Sequence, residues 1–130
     1  MALKYLRKSK HSLLNITFLA FLIILLMKVF FAINLDLYSD EVFYWQASSY
    51  PALAYSDLPF MTAVLAGIGS SLDPGNPFAV RILFILLGSS IPILIYWLAL
   101  PITGKRFAIE SASLSLCLPL LGSLGLLAVP

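Results

Sequence analysis

The long apolar run over residues 13–33 constrains this chain more than any other feature. It has about twenty predominantly apolar positions, enough for a helix that crosses a hydrocarbon core roughly 30 Å thick. Over the whole chain 61% of the residues are hydrophobic and 11% are charged, whereas a soluble domain has roughly 25% charged residues. A single soluble core cannot bury so much apolar surface, and we therefore predict an all-α polytopic membrane protein.

The residues before this run set the expected orientation. Residues 1–12 form a short tail with basic side chains at Lys4, Arg7, Lys8 and Lys10. Because basic residues beside a first span favour the cytoplasm, we predict a cytoplasmic tail and an outward-running first span over residues 13–34. A cleaved signal peptide has a shorter apolar core of about 7–15 residues, and the apolar run argues against a nucleic-acid-binding arm. Lys28, near the outer end, is expected to reach the interface along its own methylene stem.

The predicted external loop, residues 35–79, holds two adjacent carboxylates, Asp40 and Glu41. The aromatic residues around them are Tyr38, Phe43, Tyr44, Trp45, Tyr50 and Tyr55. Ser39 is a suitable N-cap for a juxtamembrane helix at about residues 40–50, and the helix dipole favours both acids in its first turn. Simple capping of a solvated helix is the structural alternative, but the position of two acids among aromatic residues beside a span favours a functional site.

The apolar segment Phe60–Leu72 decides the predicted topology. As a helix of about thirteen residues it is roughly 20 Å long, too short to span the bilayer. If it lies on the outer surface, Lys105 and Arg106 fall on the cytoplasmic side, as the positive-inside rule prefers. We therefore predict a second juxtamembrane helix at about residues 60–72, followed by a turn at residues 73–77.

The remaining chain is predicted to cross the membrane twice more. The second span covers residues 80–100, a cytoplasmic loop covers 101–106, and the third span covers 107–130. Glu110 is expected to pair with Arg106 at the i, i+4 spacing. The sequence stops in an apolar context, and we therefore expect further helices in the complete protein.

Taken together, these stretches resemble the beginning of GT-C membrane glycosyltransferases. The branch is that of the protein O-mannosyltransferases and the aminoarabinose transferases that modify lipid A. The shared motifs are the pair Asp40-Glu41 in the first external loop, the turn Tyr55-Ser56-Asp57-Leu58-Pro59, and Val80-Arg81 at the second span. The resemblance covers nearly the whole chain. It departs at Leu58, where relatives often carry a Lys or His that could contact the donor phosphate.

The resemblance implies the N-terminal part of an inverting glycosyltransferase with a polyprenyl-phosphate sugar donor. The acceptor is a hydroxyl or phosphate on a lipid, a protein or a glycan. Asp40 is implied as the catalytic base, with Glu41 as its acidic neighbour. Four further residues are predicted to bind substrate: Tyr44, Tyr55, Asp57 and Arg81. The leaving phosphate needs a cation, which Arg81, Lys28 or a bound divalent metal would supply; no residue is assigned to a metal.

Two other classes of membrane protein fit parts of the sequence. One is a small non-catalytic subunit or scaffold whose acidic aromatic loop binds a partner, and for Arg81 the alternative to a phosphate contact is an interface anchor. The other is a transporter fragment, but all the acids except Glu110 lie outside the predicted spans, where a coupling-ion site is not normally found. The predicted location is a bacterial inner membrane, with the loop outside and lipid rather than nucleic acid as a partner.

Overall fold

Four α-helices make up the part of the chain that the structure, a computed structural model, describes: residues 2–50, 59–118 and 126–127, with side chains from residue 12 onward. They are α1 (Ala2–Asn34), α2 (Ser39–Ser48), α3 (Phe60–Leu72) and α4 (Pro77–Cys117). Within these ranges there is no strand, so the prediction of an all-α chain is confirmed. Helix α1 packs on α4, α4 on α3, and α3 on α2.

Two helices are long and apolar enough to cross a membrane, Ser12–Asn34 within α1 and Pro77–Cys117. Helix α1 exposes large apolar side chains around most of its circumference, including Phe18 at 65% and Ile16 at 62%. Such a surface suits lipid as the solvent. The apolar stretch Ser12–Asn34 coincides closely with the span predicted at residues 13–34. The helix itself begins earlier, at Ala2, because the basic tail is rich in good helix formers and continues the same helix.

Helix α4 reverses direction at Gly104. This glycine has φ 77° and ψ 168°, a conformation open to glycine because it has no Cβ. In one straight helix, Gly88 and Ser115 would be roughly 40 Å apart. Both line the same small cavity, and the Ser113 and Thr17 hydroxyl oxygens are 2.6 Å apart. Residues 105–117 therefore return alongside α1.

The reversal falls inside the loop predicted at residues 101–106, but it is much shorter than that loop. Helical structure extends to Gly104 from both sides, and Pro101 is accommodated inside the helix. The described helix then ends at Cys117, with Leu118 extended, whereas the third span was predicted to continue to residue 130. Pro119 supplies the reason, because a residue before proline avoids the helical conformation. Residues 119–125 and 128–130 of that predicted span lie outside the described residues.

Helices α2 and α3 form a small packed unit at the end of α4 opposite Gly104. The core that they share with the first turns of α4 consists of Tyr44, Ala63, Ala66, Val80 and Phe84. Small residues let α3 approach α4 closely, and any side chain at Gly69 would collide with the Ala79 carbonyl. The bounds of α3 are those predicted, and α2 lies close to the predicted residues 40–50.

The predicted turn at residues 73–77 is present and joins α3 to α4. Gly75 provides the positive φ of 87° that the turn requires. The Asn76 side chain then caps α4 by accepting a hydrogen bond of 2.9 Å from the Phe78 amide. The turn thus fixes where α4 starts, and with it the position of Arg81 one turn later.

Candidate functional site

The end of α1, the start of α2 and the start of α4 meet around Arg81. The Arg81 side chain is 1% exposed, and Glu41 of α2 beside it is completely buried. The Arg81 Nε donates to Glu41 Oε1 at 2.8 Å, and Nη2 donates to Oε2 at 2.6 Å. The two side chains therefore form a buried, two-point ion pair between helices 40 residues apart in sequence.

The rest of the guanidinium closes the end of α1. Its Nη1 donates to the carbonyls of Ala32 and Leu35 at 3.2 and 2.7 Å, and Nη2 donates to that of Asp36 at 2.8 Å. The last carbonyls of a helix have no partner within it and carry the negative end of its dipole, so a cation is favoured there. A guanidinium has five N–H groups, and Arg81 uses all five in these bonds.

Glu41 also fixes the start of α2. Its Oε2 accepts a hydrogen bond of 2.9 Å from the Tyr38 amide, three residues earlier. The N-cap is therefore Tyr38 and not Ser39, which is the first residue of the helix. Glu41 satisfies an amide that the helix leaves open, and the same carboxylate neutralises Arg81.

This geometry gives Arg81 and Glu41 a structural role. A phosphate oxygen could approach Arg81 only by displacing the bonds to Glu41 or to the end of α1. The sequence also left open an interface anchor, but all five N–H groups of the Arg81 guanidinium bond within the protein. The sequence analysis placed Glu41 in the external loop and Arg81 at the second span, but it did not predict that the two side chains form an ion pair. The available signal was that opposite charges near a membrane are found together when buried.

Asp40 has the opposite environment from its neighbour. It lies in the first turn of α2 and is exposed, while Glu41 points into the structure. Tyr44, one turn later, is 3% exposed and packs in the core with Ala63 and Phe84. Burial raises the pKa of the Tyr44 phenol, and the charge of Asp40 raises it further, so Tyr44 stays protonated at neutral pH. Tyr44 is thus placed for packing beside Asp40 and not in an open cavity.

The other predicted substrate-binding residues, Tyr55 and Asp57, lie outside the described residues, and their role stays a prediction. The part of the loop that the structure describes contains a hydrogen bond between its two helices. The Trp45 indole N–H donates to the Ser70 hydroxyl at 2.8 Å. That bond joins α2 to α3. The predicted pair of Arg106 and Glu110 is present at 3.0 Å and is exposed, remote from this site.

Lys28, which was predicted to extend along the helix surface to the interface, is 5% exposed inside the group of helices. It lines a small cavity with Gly88, Ser89 and Pro92, and also a cleft of about 300 Å³ between α1 and residues 116–118. Snorkelling was expected because Lys28 is near the end of α1, but its face of the helix turns towards α4. Its burial makes it a second candidate site residue.

The described residues do not supply a metal site. Among them there is no group of three or more His, Cys, Asp or Glu that could hold a metal ion. Of the two predicted acids, Glu41 is engaged by Arg81, which leaves Asp40 as the exposed carboxylate of the pair. The divalent metal considered from the sequence therefore has no ligand set in the described part of the chain. Comparison with protein-family models, with curated proteins and with solved structures gave no match for this chain.

Proposed function

We propose that this chain is the N-terminal part of an inverting, polyprenyl-phosphate-sugar-dependent glycosyltransferase with Asp40 as its general base. One observation carries the proposal: of two adjacent acids, Glu41 is buried in an ion pair that fixes the start of α2, while Asp40 is exposed on that fixed helix. A carboxylate whose backbone is held this firmly is suited to act on a bound substrate, because positioned groups avoid an entropic cost at the moment of reaction.

The chemistry that this site would perform begins at the acceptor. The Asp40 carboxylate accepts the proton of an acceptor hydroxyl as that oxygen attacks the anomeric carbon of the donor sugar. The new carbon–oxygen bond forms opposite the phosphate, the bond to the phosphate oxygen breaks, and polyprenyl phosphate leaves with the electron pair. Attack from the opposite face inverts the anomeric centre.

The position of Asp40 relative to the apolar helices supports a lipid-linked donor. Asp40 lies just beyond the end of α1, whose described face is largely apolar and exposed. A polyprenyl phosphate keeps its chain in the bilayer and its phosphosugar at headgroup depth. If α1 spans the membrane, the reacting carbon and Asp40 are at a similar level.

The charges of the chain support an outward-facing site and a GT-C arrangement of spans. Lys105 and Arg106 lie at the Gly104 reversal, which is at the far end of α4 from Arg81 and Asp40. The positive-inside rule assigns that end to the cytoplasm, so the Asp40 end faces outwards. In this proposal the membrane is a cell inner membrane, and residues 105–117 begin a third crossing.

The proposal is tested with Asp40→Asn in the complete protein. We expect sugar transfer from a radiolabelled polyprenyl-phosphate sugar to be abolished, because an amide cannot accept the acceptor proton, while the amount of protein in the membrane is unchanged. Asp36→Asn is the matched control, since Asp36 is also exposed and uses its backbone carbonyl, not its carboxylate, to bind Arg81. Undiminished transfer by the Asp40 variant removes Asp40 from the mechanism. Absence of transfer by the wild-type protein would favour the non-catalytic subunit.

A further inference from the structure

All five N–H groups of Arg81 form hydrogen bonds within the protein, so another cation must bind the phosphate of a lipid-linked donor. The cations whose side chains the structure describes are Lys28, Arg81, Lys105 and Arg106. Arg81 uses its five N–H groups within the protein, and Lys105 and Arg106 lie at the Gly104 reversal, roughly 35 Å from Arg81 along α4. Lys28 is six residues before the end of α1, roughly 9 Å below it along the helix.

Lys28 borders a cleft with apolar walls. The cleft has a volume of about 300 Å³ and is lined on α1 by Ile24, Met27, Lys28 and Phe31, which fall on one helical face. The opposite wall is formed by Leu116, Cys117, Leu118 and Leu126. Met27 and Leu118 are each more than half exposed, so the cleft opens on the lipid-facing surface of the helices.

On its other side Lys28 borders a small cavity beside Pro92 of α4. The small cavity there is also lined by Gly88, Ser89, Pro92 and Ser115. Pro92 has no N–H, and the carbonyl of Gly88 four residues earlier therefore lacks its helical donor. A buried ammonium is tolerated next to such acceptors. An ammonium has three N–H donors, a number that allows contacts with the protein and with an anion together.

We propose that Lys28 binds the phosphate of a lipid-linked phosphate whose apolar chain lies in the cleft. Charge complementarity selects the anion, because the Lys28 ammonium is a cation. An ionisable residue within a membrane helix is by default a candidate functional residue. The cleft volume is at the lower end for a ligand site, which suits one isoprenoid chain better than the two acyl chains of a phospholipid. The identity of the lipid as a polyprenyl phosphate rests on the proposed function, but its binding does not require transfer.

The test measures binding of a polyprenyl monophosphate to the purified 130-residue chain in detergent, with Lys28→Met and Lys105→Met as a matched pair. Lys105 is exposed at the far end of α4, so the same chemical change there should leave affinity unchanged. We expect Lys28→Met to weaken binding by about tenfold or more, as for loss of a charge-assisted hydrogen bond. Lys28→Arg should restore most of the affinity, because it restores the charge.

Three further ligands separate this role from a structural one. The neutral polyprenol, inorganic phosphate and phosphatidylglycerol should each bind more weakly than the polyprenyl phosphate to the wild-type chain. In Lys28→Met the preference for the phosphate over the polyprenol should disappear, which a change in folding alone would not cause. An unchanged preference, or tighter binding of phosphatidylglycerol, overturns the proposal.

The single cysteine of the chain gives a readout that needs no variant. Cys117 lies in the wall of the cleft, so bound polyprenyl phosphate should slow its alkylation by N-ethylmaleimide, and the polyprenol should protect it less. Equal alkylation with and without the phosphate contradicts the site even if Lys28→Met fails to fold.

The outcomes also distinguish failure of this inference from failure of the proposed function. Binding through Lys28 without transfer by the complete protein would overturn the proposed function alone. Loss of transfer in Asp40→Asn together with normal binding by Lys28→Met would overturn this inference alone.

Discussion

Arg81 is the side chain through which three helix ends are joined. Its guanidinium ties the last turn of α1 and the two residues after it to the first turn of α2, and its own backbone belongs to the first turns of α4. Burying either charge alone would be unfavourable, but here each N–H group has an acceptor and the carboxylate of Glu41 has donors from both Arg81 and Tyr38. The pair therefore determines how Asp40 is presented.

Removing one member of this pair should destabilise the chain strongly. We expect Arg81→Met to lower the free energy of unfolding by about 3–5 kcal/mol, because it leaves the Glu41 charge buried without its counter-ion. The measurement is unfolding in mixed detergent micelles, followed by circular dichroism. Arg106→Met is the control, since the pair of Arg106 with Glu110 is exposed and should contribute less than about 1 kcal/mol.

A double variant isolates the pairing itself. Glu41→Met combined with Arg81→Met should recover part of the loss, because it removes the unpaired charge but leaves the carbonyls of Ala32, Leu35 and Asp36 without the guanidinium donors. If Arg81→Met cost no more than Arg106→Met, the arrangement of the three helix ends would not depend on this ion pair.

At the scale of helices, several boundaries could be predicted from the sequence because proline and glycine residues lie at them. The segment Phe60–Leu72 follows Pro59 and precedes the turn around Gly75. Helix α3 has the bounds that these residues predict. The start of α1 was not readable, because hydropathy indicates which residues avoid water and not where a helix begins. Pro119, which accounts for the end of the helix at Cys117, was present in the sequence but was outweighed by the apolar run around it.

Only part of the candidate site could be predicted from the sequence, because the burial of its side chains depends on contacts between distant residues. Composition indicated that two acids beside a span need an explanation, but the local sequence does not specify which of two neighbouring acids faces inwards. That is decided by Arg81, 40 residues later, whose position depends on the packing of α4 against α1. The burial of Lys28 was missed likewise, because its helical face is defined only once α4 lies against it.

The reversal within α4 should depend on the missing side chain of Gly104. At φ 77° and ψ 168° an alanine is strained, and we expect Gly104→Ala to cost about 1–3 kcal/mol in the free energy of unfolding. Ile102→Ala is the control two residues away, since Ile102 is 79% exposed. Thr17→Cys with Ser113→Cys, in a Cys117→Ser background, should cross-link less readily when Gly104 is replaced. Unchanged cross-linking and stability would show that the reversal does not need glycine.

Considered as a whole, the molecule has two chemically different ends joined by apolar helices. From Arg81 to Gly104 the helix rises roughly 35 Å, slightly more than a hydrocarbon core of roughly 30 Å. One end carries the exposed Asp40, and the other carries Lys105 and Arg106, also exposed. The length of α4 thus allows these two ends to lie in the two aqueous compartments, as the proposed reaction requires.

This arrangement predicts opposite accessibility for positions 40 and 105. In right-side-out membrane vesicles, with Cys117→Ser as background, Asp40→Cys should react with a membrane-impermeant maleimide, and Lys105→Cys should react only after permeabilisation. Both positions are exposed, so a difference between them reports the compartment and not burial. Reaction of both without permeabilisation would mean that α4 does not separate two compartments. Reaction of position 40 only after permeabilisation would place Asp40 in the cytoplasm, where the phosphosugar of an outward-facing donor cannot reach it, and the proposed chemistry would fail with the topology.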